Sequence, residues 1–212
     1  MKVSRFTFNM FGVNTYILWD DFSKDAMIID PGMIEMAECH IIDSFIEKNR
    51  LNIKHLVNTH MHIDHAFGIS YIKNIYNLKL ECHTNDQFLA QRLKEQAAMF
   101  GLPISIEDLK IDLDLKDDDK IQIGDEEIQI LHVPGHSPGS IVLYAPQSSF
   151  LISGDVLFNS SIGRTDLPGG SYPQLISAIN GKLMTLPDDT IVYPGHGLET
   201  SIGQEKRNNP YL

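Results

Sequence analysis

The segment His60-Met61-His62-Ile63-Asp64-His65 packs three imidazoles and a carboxylate into six residues, directly after the apolar, strand-like run His55 to Asn58. Donors of this kind at this density read first as a metal site, so the strand must run out at a place where further donors can gather. In an extended segment His60 and His62 project to the same side, and one ion can take both. Asp64 and His65 follow where the chain is ready to turn into a helix, Ala66 to Tyr76, and can aim at a second point close to the first. The spacing therefore suits a two-metal site.

The chain has 212 residues, 42% of them apolar, enough for a sizeable core. One compact domain over 1–212 is expected, with a short C-terminal tail at 198–212. No apolar run reaches transmembrane length, and the first residues alternate like a strand instead of forming a signal-peptide core. A cytoplasmic protein without a membrane partner is the expectation. The two cysteines, Cys39 in an expected helix and Cys82 in an expected strand, are too few for a disulfide framework and read as buried reduced thiols. A formal charge of −11, with 28 acids against 17 Lys and Arg, argues against a nucleic-acid surface. The acidic residues concentrate between Asp112 and Glu127, a run expected to be a solvated loop.

Periodicity gives the order of elements. Strands are expected at the N-terminus, at Thr15 to Leu18 and Ala26 to Ile29, followed by a helix over Ile34 to Arg50. After the His55 to Asn58 strand come the Ala66 to Tyr76 helix, a strand at Leu78 to Cys82, and a helix capped by Thr84 or Asn85 and running to Phe100. Short β runs follow at Lys120 to Ile123, Glu127 to Val133, Ser140 to Tyr144 and Phe150 to Ser153. A helix over Gln174 to Leu186 and a strand over Thr190 to Tyr193 complete the pattern, with at most one short helix in the tail.

Further polar residues fall where strands run out into Gly-rich turns, which is where sites usually sit. His136 lies in Pro134-Gly135-His136-Ser137-Pro138-Gly139, Asp155 follows Ser153-Gly154, and His196 lies in Pro194-Gly195-His196-Gly197. Each is a weak signal singly. With the first cluster they form a set of seven. Of the other histidines, His55 and His132 read as packed or supporting imidazoles, and His40 and His83 have no expected role.

That set, in that order, resembles the metallo-β-lactamase superfamily, from Asn14-Thr15-Tyr16 and Ile29-Asp30-Pro31-Gly32 to His196. The resemblance implies an α/β (α+β) architecture, a four-layer αββα sandwich of two mixed β-sheets flanked by helices, with a binuclear site at one edge. It implies that His60, His62 and His136 hold one metal, that Asp64, His65 and His196 hold the other, and that Asp155 bridges them. Within the superfamily the chain is most similar to hydroxyacylglutathione hydrolases (glyoxalase II) and their short bacterial relatives, through Thr59 to His65, Gly135 to Ser140 and Gly163-Arg164-Thr165-Asp166. The β-lactamases proper would have a cysteine where this chain has Asp155. Full-length glyoxalase II also carries a further helical domain with basic residues for glutathione, whereas here only sixteen residues follow His196.

The function so implied is hydrolysis of a thioester, S-lactoylglutathione or a related acyl thioester, by a metal-bridging hydroxide. Asp64 is implied to orient that hydroxide as well as to ligate, and so counts as catalytic. A thiolate leaves without a general acid, which an amide nitrogen requires. Two divalent ions are expected, zinc by default, with iron and manganese chemically acceptable for His and Asp ligands. Arg164 is the candidate substrate wall, with a structural tie to Asp166 as the competing role. Lys206 and Arg207 in the tail are weighed as replacement charge for glutathione against a merely solvated pair of cations. The alternatives are a mononuclear non-haem iron persulfide dioxygenase using His60, His136 and Asp155, another hydrolase of this fold acting on an ester or lactone, and a non-enzymatic relative that keeps the fold for binding.

Overall fold

A computed structural model covers residues 1–212. Along the chain the first half builds β1 (Lys2–Phe8), β2 (Val13–Trp19), β3 (Asp25–Ile29), α1 (Met36–Asn49), β4 (Asn52–Val57), α2 (Ile69–Tyr76), β5 (Leu80–Cys82), α3 (Gln87–Ala90), α4 (Leu93–Met99) and β6 (Leu113–Asp114). The second half builds β7 (Lys120–Ile123), β8 (Glu126–His132), β9 (Ile141–Ala145), β10 (Phe150–Gly154), the hairpin β11 (Leu157–Phe158) and β12 (Ser161–Ile162), α5 (Tyr172–Ala178), β13 (Ile191–Pro194), β14 (Thr200–Ser201) and α6 (Ile202–Asn208).

The strands form two six-stranded mixed sheets, ordered β1-β2-β3-β4-β5-β6 and β14-β13-β10-β9-β8-β7. In the first, β1 to β3 pair antiparallel and β3 to β6 parallel. Parallel neighbours need a crossover, and α1, α2 and the α3–α4 pair supply one each. In the second sheet only β10 and β13 are parallel, with α5 as their crossover.

Alternation along the strands explains the layers. Tyr16 and Leu18 of β2 and Met27 and Ile29 of β3 meet Ile128, Ile130, Ile141, Leu143 and Ile152 of the other sheet in the central core. Ile17, Trp19, Ala26 and Ile28 point the other way, under α1, α2 and α4. Leu151 and Val192 of the second sheet pack outward against Leu175 of α5 and Ile202 of α6. Strands covered on both faces read as continuous apolar runs, as β2, β3 and β10 do. The architecture is the αββα sandwich, and both cysteines are buried and free.

Several boundaries depart from expectation. The helix after the histidine cluster starts at Ile69, not Ala66, because Ile63–His65 forms a single 3-10 turn first. The helix expected to run unbroken to Phe100 is divided at Gln91 and Arg92, and the His83 ring, not Thr84 or Asn85, caps its leading turn by accepting from Asn85 N. The acidic run is solvent-exposed, as expected, and three of its carboxylates also bind backbone N–H groups. Asp112 accepts from Leu80 N at 2.8 Å, Asp114 from Thr84 N at 2.9 Å, and Asp117 from His132 N at 2.8 Å and from Lys182. These carboxylates terminate the outer strands of both sheets.

Candidate metal centre

The seven predicted residues come together at one edge of the sandwich, from the segments that follow β4 (His60 to His65), β8 (His136), β10 (Asp155) and β13 (His196). Backbone shape at two glycines lets them approach. Gly135 has φ +135°, and a Cβ there would lie 2.4 Å from Leu175 N. A Cβ on Gly195 would lie 2.2 Å from Asp155 Oδ1, so any side chain would displace that carboxylate. The His196 turn is pinned to the start of β2, where Asn14 N donates to Gly195 O at 2.7 Å and Asn14 Nδ2 to Pro194 O and Gly197 O at 3.0 and 2.9 Å.

Two donor sets result. His136 Nε2 lies 2.8 Å from His62 Nδ1 and 3.2 Å from His60 Nε2. His196 Nε2 lies 3.3 Å from His65 Nε2 and 3.1 Å from Asp64 Oδ2. Asp155 stands between them, with Oδ1 3.3 Å from His65 Nε2 and Oδ2 3.5 Å from His196 Nε2 and 3.7 Å from His136 Nε2. Ligands about 2.0–2.1 Å from a tetrahedral ion lie about 3.3 Å from one another, so both sets are spaced to hold one. Asp155 Oδ1 is also buried without a hydrogen-bond partner, a state that a cation satisfies.

The ring nitrogens that face away from the centre explain its order. His65 Nδ1 is 3.0 Å from Asp30 Oδ2, His60 Nδ1 3.1 Å from Thr59 Oγ1, His136 Nδ1 2.8 Å from Arg164 O and His196 Nδ1 3.1 Å from Phe11 O. Each of these acceptors takes the distal N–H and leaves the Nε2 lone pair facing inward. Asp30, His60 and His65 also cluster closely enough to be counted as a third donor group. The Asp30 oxygens already accept from Thr59 N at 2.7 Å and Thr59 Oγ1 at 2.6 Å, so Asp30 is a brace.

Electrostatics separates the two sets. Burial, reinforced by the neighbouring imidazoles, pushes His60 well below its ordinary value and His62 down to about 3, so both remain neutral donors. In the other set burial is outweighed: His65 is raised by Asp155, Asp64 and Asp30, and His196 by Asp64 and Asp155. The same partners, again against burial, hold Asp64 and Asp155 below the usual carboxylate range and thus ionised. The neutral His60 and His62 imidazoles and the ionised Asp64 and Asp155 carboxylates, without a thiolate, are donors of the kind a borderline divalent ion takes.

The profile of the metallo-beta-lactamase superfamily matches residues 9–196. The chain belongs to the metallo-β-lactamase superfamily. It is 40% identical to the hydroxyacylglutathione hydrolase GloC of Haemophilus influenzae, across 100% of this chain and 98% of that one. Among solved structures, BLEG-1 B3 metallo-beta-lactamase superposes with a TM-score of 0.89 at 32% identity, covering 100% of this chain and 99% of the other. TTHA1623 in a di-iron-bound form superposes at 0.87 and 31% identity, covering 99% and 100%. This is a metallo-hydrolase superfamily, and its fold implies divalent metal binding.

The centre opens to a cavity of about 220 Å³, lined by His62, Asp64, His136, Asp155 and His196 together with Phe11, Ile63, Phe100, Leu167 and Arg164. Arg164 reaches this wall while its guanidinium forms a two-pronged pair with Asp166, 2.7 Å on each arm. Both roles weighed for Arg164 are therefore compatible. Lys206 and Arg207 point elsewhere, to Asp188, and supply no charge here.

Sequence reasoning gave no role to Asp30, Asp86 or the aromatic wall. Asp86, fully buried, accepts from Met61 N at 3.0 Å, Ser137 Oγ at 2.7 Å and Gly139 N at 2.6 Å, joining the His60–His62 segment to the His136 turn. Its sequence signal was only that an acid follows Asn85. His55 pairs with Glu81, and His132 stacks on His83 at 4.0 Å; neither faces the centre.

Proposed function

We propose that this protein is a thioester hydrolase in which His60, His62 and His136 hold one divalent ion, Asp64, His65 and His196 a second, and Asp155 both, zinc being the default metal. The observation that carries the reading is the lining of the cavity. Apart from the candidate ligands it offers Phe11, Ile63, Phe100, Leu167 and Arg164, none of which gives up a proton at neutral pH. A leaving group must then depart unprotonated, which suits a thiolate and not an amine.

Divalent ions in this centre supply hydroxide from water at neutral pH and a Lewis acid for the carbonyl oxygen. The chain's own residues do the rest. Asp64, kept ionised beside His65 and His196, faces the cavity and accepts a hydrogen bond from the attacking water, turning its lone pair toward the acyl carbon. Phe11, Ile63 and Phe100 wall the acyl group away from bulk water. Arg164, at the rim, meets the polar part of the substrate.

The decisive experiment is kcat/KM for S-D-lactoylglutathione with zinc-reconstituted protein, beside an Asp64→Ala control and a panel of glutathione-free thioesters. Hydrolysis of at least one thioester well above the control is expected. No hydrolysis of any, with oxygen consumed on glutathione persulfide by iron-loaded protein, would replace this reading with the dioxygenase.

A further inference from the structure

The turn between β1 and β2 carries Asn9 at φ +53°, a left-handed conformation that asparagine tolerates better than most residues. Its Oδ1 accepts from Phe11 N at 2.9 Å, the local Asx turn by which asparagine tightens such bends. The other end of the same amide does something that no turn requires. Nδ2 reaches inward to Gly32 O at 2.8 Å and Asp64 O at 3.2 Å, across 23 and 55 positions. No other protein group donates to Asp64 O, because the single 3-10 turn at Ile63–His65 ends with Ala66 N on Ile63 O. The three segments meet so closely that a Cβ on Gly32 would lie 2.9 Å from Asn9 Nδ2 and 3.0 Å from Asp64 O.

The same turn reaches His196. The peptide between Phe11 and Gly12 donates through Gly12 N to Asn9 O at 3.2 Å, and its carbonyl, Phe11 O, points the opposite way to meet His196 Nδ1 at 3.1 Å. Asn9 therefore holds the peptides on both sides of Phe11, one through Oδ1 and one through its main-chain oxygen. Glu38 locks the turn to the first turn of α1: Oε1 accepts from Asn9 N at 3.0 Å, and Oε2 from Ile34 N and Glu35 N at 2.7 and 3.2 Å. The other donor set is braced elsewhere, His60 on Thr59 Oγ1 and His136 on Arg164 O.

Resting on the two-ion reading above, the geometry points to Asn9 as a positioning residue for the second ion alone: one side chain fixes Asp64 through its main chain and His196 through the Phe11 carbonyl. These two ligands come from opposite halves of the chain, and Asn9, on a third segment, maintains the 3.1 Å between Asp64 Oδ2 and His196 Nε2. An ion that needs both donors at a set distance responds to any change in that spacing. The set of His60, His62 and His136 does not.

The test is a stepwise zinc titration of metal-depleted protein against a chromophoric chelator, in the parent, Asn9→Gly and Asn9→Asp. Glycine keeps the left-handed turn and deletes every side-chain bond, whereas aspartate keeps the acceptor for Phe11 N and sets an oxygen against Gly32 O and Asp64 O. In both variants one of the two binding steps should weaken about 10–100-fold while the other holds its affinity. In a His196→Ala background, which leaves the first set whole, Asn9→Gly should change nothing. Equal weakening of both steps, weakening of the remaining step in that background, or no change in either variant would overturn the assignment. A parent that takes up a single ion would overturn the two-ion reading and the assignment with it. Zinc uptake is measured without substrate, so failure to hydrolyse thioesters would bear on the thioesterase reading alone.

Discussion

Asp30 Oδ2 lies 3.0 Å from His65 Nδ1, and through this one contact a residue with no access to the cavity sets the tautomer of a candidate ligand. Asp30 itself sits at φ +51° and is 1% exposed, held where Thr59 N and Oγ1 saturate the rest of its carboxylate. Asp30→Asn turns one acceptor oxygen into an N–H₂ donor, set against Thr59 N if at the Oδ1 position or against Thr59 Oγ1 and His65 Nδ1 if at Oδ2. Zinc affinity of the His65 set should fall about 10–100-fold, read by competition with a chromophoric chelator. Equal affinities in variant and parent would show that His65 needs no such partner.

Asp155 reaches both donor sets, 3.3 Å from His65 Nε2, 3.5 Å from His196 Nε2 and 3.7 Å from His136 Nε2. Asp155→Ala leaves His60, His62 and His136 as a complete three-ligand site and the other set one ligand short. Metal content after desalting, by plasma mass spectrometry, should drop from two ions per chain toward one. Two tightly held ions in the variant would remove the bridging role.

Arg164→Ala tests the rim. Its guanidinium hydrogen-bonds Asp166 and no candidate ligand side chain, and the proposed wall role is one of binding alone, equal in ground and transition states. KM for the cognate thioester should rise more than kcat falls. An unchanged KM would leave Arg164 only its tie to Asp166.

The acidic run predicts the acid limb of stability. Burial opposes it, but hydrogen bonds from Lys73 and Leu80 N to Asp112, from Thr84 to Asp114, and from Lys182 and His132 N to Asp117 hold all three below the ordinary carboxylate value. A depressed folded pKa means the unfolded chain binds protons first. The stabilisation is therefore complete above the unfolded value, about 3.9, and is lost as pH falls through the folded ones. In metal-depleted protein, urea denaturation at stepped pH should show unfolding free energy declining below about pH 4, and Asp117→Asn should make that decline shallower. An equal slope would exonerate Asp117.

The seven-residue set was legible in the sequence because His60, His62, Asp64 and His65 crowd into six residues after a strand, and His136, Asp155 and His196, weak signals singly, each follow a strand at a glycine turn. The braces behind them were not. Asp30 meets His65 across 35 positions and Asp86 meets Ser137 across 51, so nothing in either neighbourhood signals the partner. The break at Gln91 and Arg92 was hidden for a related reason. Gln96, on α4, spends its amide on Ile63 N, Met61 O and Leu89 O, a tertiary demand that overrides local helix preference. The acidic run is exposed, as like charges usually are, and what its composition hid is that Asp112, Asp114 and Asp117 also accept from the backbone N–H groups of Leu80, Thr84 and His132.

The pinning of the His196 turn by Asn14 bears on how the protein is made. The hydrogen bonds from Asn14 Nδ2 to Pro194 O and Gly197 O span 180 and 183 positions. Contacts so distant in sequence form late, since closing the loop costs entropy before any contact repays it. A chain still emerging from its ribosome has His60, His62 and His65 exposed long before His196 arrives, and holds at best a partial grip on a metal. The set formed by Asp64, His65 and His196 is complete only when the segment carrying His196 has docked on the start of β2, so its assembly depends on one of the longest-range contacts in the fold.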